Sequence, residues 1–305
     1  MKPPSFCLAL FVVGWCGFGA TADPADPPRS APRDSSPAKT PFCQQPRPGE
    51  PVNDHALYHY LELEGGKLLD QSTCGAELHK QTTRRTCRLT LPAPATQKLA
   101  SSEIAACAEN SVVVLGRFYQ CDHCTRTHLA VASGFLLTES GALATCLHVV
   151  KTNRTLGLVA MTRDGNLWPI REVLAADPLS DAVILQLQGS GFKPLPLSTN
   201  APAGSPVMVL SHPQGHYYMV TAGIVSRYYV KPVKEGFTPM MSITARFARG
   251  SSGAPVLNEY GCAVGTVNNT QSIYFDADEG RNDNFQMTVN NCTPAKVYLQ
   301  MVRPR

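Results

Sequence analysis

The sequence predicts an all-β protein folded in two halves, and three features carry that expectation. Short β-branched or apolar runs recur from Ser111 onward, and turn residues such as Asp164-Gly165 and Tyr260-Gly261 separate several of them. Few segments keep a helical period, and many short strands with few helices specify a sandwich or barrel. Between Gln188 and Thr199 a Gly-Ser-Gly stretch and two prolines supply a link between the halves.

Taken in order, residues 1–22 have the form of an export signal. Met1-Lys2 gives a positive start, Phe6 to Ala20 is apolar, and Ala20-Thr21-Ala22 is a small-x-small cleavage site. Residues 23–50, rich in Pro, Ala, Ser and charge, predict a solvated tether. Residues 51–105 are expected to form a small cysteine-containing accessory segment. Within it His55 to Leu63 fits either a short helix or a strand, and Cys74 and Cys87 are expected to staple the region. Leu99, Ile104 and Ala105 have roughly helical spacing, with Ser101 or Ser102 as a cap before Glu103. One β half is expected over 106–195 and the other over 196–305. Strands are predicted near Ser111–Gly116, Ser133–Thr138, Ala142–His148, Leu156–Thr162, Ala182–Leu187, Pro206–Ser211, Met219–Tyr229, Ser242–Ala245, Ala254–Leu257 and Cys262–Val267.

Composition narrows the function. The 305 residues are 43% hydrophobic, enough for a packed core, and the net charge of +4 is spread without a dense basic stripe. A nucleic-acid surface needs a concentrated basic footprint, so that class is excluded. No stretch outside the signal is long and apolar enough to span a membrane, so no stable span is expected. Of 11 cysteines, Cys7 and Cys16 leave with the signal. The rest, in an exported chain, predict several disulfides and at least one thiol that is free, metal-bound or paired between chains.

The strongest chemical signal is Arg249-Gly-Ser-Ser-Gly-Ala-Pro-Val256. A serine hydroxyl attacks well only when a base takes its proton and donors stabilise the oxyanion. Glycines beside Ser252 allow the tight bend that would aim the Gly250 and Ser252 amides at one point. Strand, turn and strand follow this motif, where a nucleophile elbow would lead into a helix, so an α/β-hydrolase is disfavoured. Of eight histidines, only His148 closes an apolar strand in the half opposite the serine. Asp181 precedes the apolar run Ala182 to Leu187, which sets its carboxylate at a core edge. Asp177, in Asp-Pro, fits a turn better.

With these blocks in hand, the chain resembles the chymotrypsin/trypsin superfamily. The likeness is strongest to its bacterial periplasmic branch of high-temperature-requirement, or Deg-type, proteases. Thr145-Cys-Leu-His-Val-Val, Asp177-Pro-Leu-Ser-Asp-Ala-Val-Ile-Leu, Val220-Thr-Ala-Gly-Ile-Val-Ser and Gly250-Ser-Ser-Gly-Ala-Pro are similar to four blocks of that branch, in its order. The resemblance implies two six-stranded antiparallel β-barrels behind a cysteine-containing N-terminal extension. It also implies a cleft between barrels holding His148, Asp181 and Ser252 as a triad, with Gly250 and Ser252 as the oxyanion hole. A serine endopeptidase acting on polypeptides through an acyl-enzyme, exported to the periplasm or beyond, with no cofactor, is the expected function. Departures from the pattern remove some inferences. Too little chain follows Val267 for a peptide-binding PDZ domain, and Ser251 replaces the acid that receives a newly cut N-terminus in vertebrate enzymes.

The resemblance would place Arg246, six residues before Ser252, in the primary pocket, where it would favour acidic side chains; an exposed arginine is the preferred reading. Cys121-Asp-His-Cys124 with His128 is a second cluster. A disulfide-pinned loop is preferred there to zinc, for which Cys121, Cys124 and His128 leave one ligand unassigned. Asn153, Asn268 and Asn291 lie in glycosylation sequons. The rival functions are a catalytically silent binding module on the same fold and a zinc or redox module centred on Cys121 and Cys124. The oligomeric state is not legible.

Overall fold

A computed structural model of the protein describes residues 51–150, 154–234, 236–275, 280 and 283–304; the expected signal and tether lie outside them. Three helices come first. α1 (Asp54–Gly66) starts where the Asn53 side chain accepts the Ala56 amide at 3.0 Å, with Asp54 favourably placed in its first turn. It buries Leu57, Leu61 and Gly65, spaced by four. Gly65 lets the helix pack close to Phe118, since a Cβ there would stand 3.1 Å from the ring and press on it. α2 (Gly75–Gln81) and α3 (Ser101–Glu109) flank β1 (Cys87–Arg88). The α3 cap precedes both expected serines, by one residue for Ser101 and two for Ser102. Ala100 is the N-cap and has no side-chain acceptor, so Glu103 reaches back to the Ala100 amide at 2.7 Å and does the capping alone.

β2 (Val112–Gln120), β3 (Thr127–Leu136), β4 (Ala142–Cys146), β5 (Thr155–Met161), β6 (Leu167–Asp177) and β7 (Ala182–Leu187) close the first barrel in the order β2-β3-β4-β7-β6-β5. Between β4 and β5 lies α4 (Leu147–Val150). The second barrel comprises β8 (Pro206–Ser211), β9 (Met219–Val233), β10 (Gly236–Ile243), β11 (Pro255–Leu257), β12 (Ala263–Tyr274) and β13 (Phe285–Pro294). Its order is β10-β13-β12-β11-β8-β9, and every pairing in both barrels is antiparallel. The all-β double barrel expected from the sequence is therefore the fold. Two of its strands, β6 and β13, had not been anticipated.

Alternation along the strands fills three cores. Leu115, Leu136, Leu143, Leu158, Ile170 and Leu185 pack inside the first barrel, and Val209, Met241, Val256 and Val267 inside the second. The run Val112-Val113-Val114-Leu115 is apolar without a break because both faces of β2 are covered. Val113 and Leu115 face the barrel interior, whereas Val112, Val114 and Phe118 join Leu57, Leu61, Ile104, Leu210 and Tyr298 in the third core. α5 (Ala295–Met301) contributes Tyr298 to that core, and β14 (Val302–Arg303) pairs in parallel with β1. α1, α3 and α5 are thus fastened to both barrels by one apolar cluster, while α2 packs Leu78 into the first-barrel core.

Every cysteine among the described residues is a free thiol, so no disulfide joins two of them. Cys74 and Cys87 are not bonded to each other or to another described cysteine, and α1 and α3 are held by the apolar third core. Cys146, Cys262 and Cys292 are buried and behave as small apolar side chains. Burial pushes the thiols of Cys146 and Cys292 far up, which keeps them protonated. Two sequons are also unavailable to glycosylation in the folded chain: Asn268 and Asn291 are buried and hydrogen-bonded to Thr293 and Ser242 of the second barrel, and Asn153 lies outside the described residues.

Candidate active site

β4 ends at Cys146 and α4 turns immediately, which lifts His148 to the surface of the first barrel. Asp181 sits at the entry to β7, the neighbour of β4, and its backbone is left-handed with φ of 54°. That conformation, tolerated best by Asp and Asn, clips Asp181 onto α4 through both backbone and side chain. The Asp181 carbonyl accepts the Leu147 amide at 3.0 Å, and Oδ1 accepts the His148 amide at 2.8 Å. Oδ2 then accepts from His148 Nδ1 at 2.6 Å and from Asn268 Nδ2 at 3.1 Å. Since a carboxylate only accepts, the imidazole proton resides on Nδ1 and Nε2 presents a lone pair.

Ser252 comes from the second barrel, on the bend between β10 and β11. Gly250 and Gly253 have φ of 100° and 88°, and neither tolerates a side chain. A Cβ on Gly250 would lie 2.5 Å from the His212 carbonyl oxygen, and one on Gly253 would lie 2.1 Å from the Ser133 carbonyl oxygen. The bend is tied to the first barrel by Ser133. Its amide donates to the Ser252 carbonyl at 2.9 Å, and its hydroxyl to the Gly250 carbonyl at 3.0 Å. The amides of Ser251 and Gly253 bond to Ala248 and Val267, while among the described residues those of Gly250 and Ser252 have no protein acceptor. Ser251 itself is buried, with its hydroxyl 3.0 Å from that of Ser211.

His148, Asp181 and Ser252 line one cleft of about 540 Å³, together with Lys231, Arg249 and residues 267–270. In this rotamer the Ser252 hydroxyl contacts the Asn268 carbonyl at 3.5 Å, and no hydrogen bond joins it to His148. Such looseness is common before substrate binds. The rest of the cluster is held tightly by residues whose place at the site no sequence motif announces. Asn268 also donates to Thr293, whose hydroxyl donates to the Ser180 carbonyl at 3.0 Å. The fully buried Tyr298 hydroxyl donates to the Thr145 carbonyl at 2.8 Å, bracing β4 ahead of His148. Only position could have revealed these groups; their residue types carry no signature.

Arg246 is exposed and lines a separate groove beside Arg227, Phe247 and Phe285, so it does not floor the cleft. The basic groups that face Ser252 are Arg249 and Lys231. Cys121, Cys124 and His128 come together elsewhere, at the tip of the β2–β3 hairpin. There the amide of His123 and the Cys124 thiol draw the Cys121 thiol down to about 7.

Comparison with known proteins adds to this geometry. Residues 132–265 match the trypsin-like peptidase domain family. A "Probable periplasmic serine endoprotease DegP-like" of Ectopseudomonas mendocina is 29% identical over 138 residues, which is 45% of this chain and 28% of that one. Its namesake in Hahella chejuensis is 30% identical over 142 residues, 45% of this chain and 29% of the other. The chain thus matches less than a third of the length of either relative. Among solved structures, the HtrA-type protease AlgW with a tripeptide superposes with a TM-score of 0.53 at 18% identity, covering 66% of this chain and 62% of that one. Residues 132–265 are thus similar to a trypsin-like peptidase domain, the middle of the chain is similar in sequence to DegP-like proteases, and the double barrel is the fold seen in HtrA-type protease structures.

Proposed function

We propose that the protein is an exported serine endopeptidase that cleaves polypeptides through an acyl-enzyme. The observation that carries this reading is the Asp181–His148 pair, fixed by three hydrogen bonds from His148 and Asn268 to one carboxylate, in a cleft it shares with Ser252. Rotation of the Ser252 side chain away from the Asn268 carbonyl brings its hydroxyl toward Nε2, which takes the proton as Oγ attacks a peptide carbonyl. The oxyanion is received by the Gly250 and Ser252 amides, the donors left over by the bend. His148 returns its proton to the leaving amine, and water then attacks the acyl-enzyme with His148 again as base. Asp181 stabilises the imidazolium and remains ionised throughout. The periplasmic naming of the relatives supports a site of action outside the cytoplasm.

A fluorophosphonate probe tests this reading directly. The native protein is expected to take up one probe per chain, and peptide mapping should locate it on Ser252. Absence of labelling, or a label on Ser251, would overturn the assignment.

Charge in the cleft sets the expected specificity. Arg249 and Lys231 border the space beside Ser252, so substrates with Asp or Glu near the scissile bond should be preferred. Arg249→Glu is expected to lower kcat/KM for an acidic peptide by roughly 5-fold, the scale of one exposed ion pair. Added salt should shrink that difference. Equal turnover of acidic and basic peptide libraries by the native enzyme would rule the preference out.

A further inference from the structure

Outside the cleft, the described residues contain one further group of thiol and imidazole ligands whose donor atoms converge: Cys121, Cys124 and His128. The two sulfurs are 3.4 Å apart, and His128 Nε2 lies 3.2 Å from Cys121 Sγ and 3.1 Å from Cys124 Sγ. Three donors on so small a triangle form one face of a coordination shell. With metal–ligand distances of about 2.3 Å to sulfur and about 2.0 Å to nitrogen, a cation would ride about 1 Å above that face.

The surroundings hold the three ligands in place. His128 faces Tyr119 across the β2–β3 ladder, their ring centroids 5.4 Å apart, and the Arg117 guanidinium covers the other ring at 4.6 Å. The turn is pinned from β5 by an ion pair between Asp122 and Arg154, and by the Gln120 amide on the Arg154 carbonyl at 3.2 Å. Closing a disulfide would draw the sulfurs to about 2.05 Å and leave Nε2 without a use. A soft cation employs all three donors.

We propose that Cys121, Cys124 and His128 bind a thiophilic divalent cation such as zinc, with water in the fourth position. A four-ligand structural site is not available, because no further Cys, His, Asp or Glu donor atom among the described residues joins the cluster. Cys124 is exposed and Cys121 only half-buried, so the fourth position faces solvent. The assignment stands apart from the peptidase reading, since none of the three residues lines the cleft.

The test uses the full chain, purified under reducing conditions and stripped with a chelator. It is expected to bind one cobalt(II) per chain with a thiolate-to-cobalt charge-transfer band, and zinc should displace the cobalt. Zinc should also shield Cys121 and Cys124 from maleimide, while the exposed Cys74 and Cys107 keep reacting. Cys124→Ser and His128→Ala should each weaken binding by at least about 100-fold, the upper end of what outer-shell changes cost. Cys74→Ser should leave it unchanged. Fluorophosphonate labelling of each variant reports whether the fold is intact, and Cys124→Met provides a second test of the same ligand should the serine variant not fold. No charge-transfer band at saturating cobalt would overturn the site. So would a band that survives both ligand substitutions, or a Cys121–Cys124 disulfide that forms despite excess zinc.

Discussion

Asp181→Asn is expected to slow peptide hydrolysis by about 10⁴-fold while leaving the fold in place, the size of effect that loss of the correct imidazole tautomer has in such triads. The geometry specifies how. Oδ1 of residue 181 accepts the His148 backbone amide at 2.8 Å, so the one oxygen of an asparagine stays on that bond. The new NH2 group then occupies the place of Oδ2, facing His148 Nδ1 at 2.6 Å and the Asn268 amide at 3.1 Å. Facing a donor, Nδ1 must accept, and the ring proton moves to Nε2. The lone pair that should receive the serine proton is gone, and an imidazolium formed during attack meets no negative charge. Backbone strain is unchanged, because asparagine tolerates the φ of 54° about as well as aspartate does. Thermal unfolding should therefore shift far less than kcat, and steady-state rates normalised to folded protein provide the measurement. A variant within about 10-fold of the native rate, well short of the 10⁴ expected for a triad, would remove Asp181 from the mechanism.

How much of this was legible in the sequence depended on local signals. β2, β5, β7 and β8 were readable because their apolar runs are short, β-branched and bounded by turns. β6 was not, since Pro169, Arg171 and Glu172 interrupt its apolar residues. β13 was hidden by its polar content, including Asn291 and Thr293, which are buried because they hydrogen-bond within the second barrel and to the site. The blocks around residues 148, 181 and 252 stood out because each combines a tight backbone requirement with a rare residue type. Asn268, Ser133 and Tyr298 exert their influence through contacts between distant segments, which no local pattern encodes. Counting cysteines suggested disulfides, but whether two thiols meet depends on which strands neighbour one another, and the barrels keep Cys146, Cys262 and Cys292 as separate buried groups. Nor does any local pattern show that His212, in the loop after β8, is fully buried.

That histidine should give the protein a steep loss of stability in acid. Its ring packs between Tyr217 and Tyr218, and Nδ1 accepts the Tyr218 amide at 3.1 Å. The proton therefore sits on Nε2, turned toward the Val113 carbonyl but outside good hydrogen-bond geometry. Burial without a counter-charge lowers its pKa from 6.5 to about 3. Between those values the unfolded chain binds the proton and the folded chain does not, so stability rises with pH across the window. Above 6.5 the penalty is absent; it grows by roughly 1 kcal/mol or more per pH unit as acid is added and levels off near 3. Other groups titrate in the same range, so the quantity to read is the difference between native protein and His212→Gln in urea unfolding. The glutamine can still accept the Tyr218 amide but cannot take up a proton. Between pH 7 and pH 4.5 that difference is expected to change by about 3 kcal/mol in favour of the variant. Activity should be lost with it, because the His212 backbone underlies the bend at Ser252. Its amide donates to the Ser133 hydroxyl at 3.3 Å, and its carbonyl fills the space beside Gly250. Native and variant stabilities that stay parallel down to pH 4.5 would show that the ring is protonated inside the fold without penalty, and the acid sensitivity would then have to come from elsewhere.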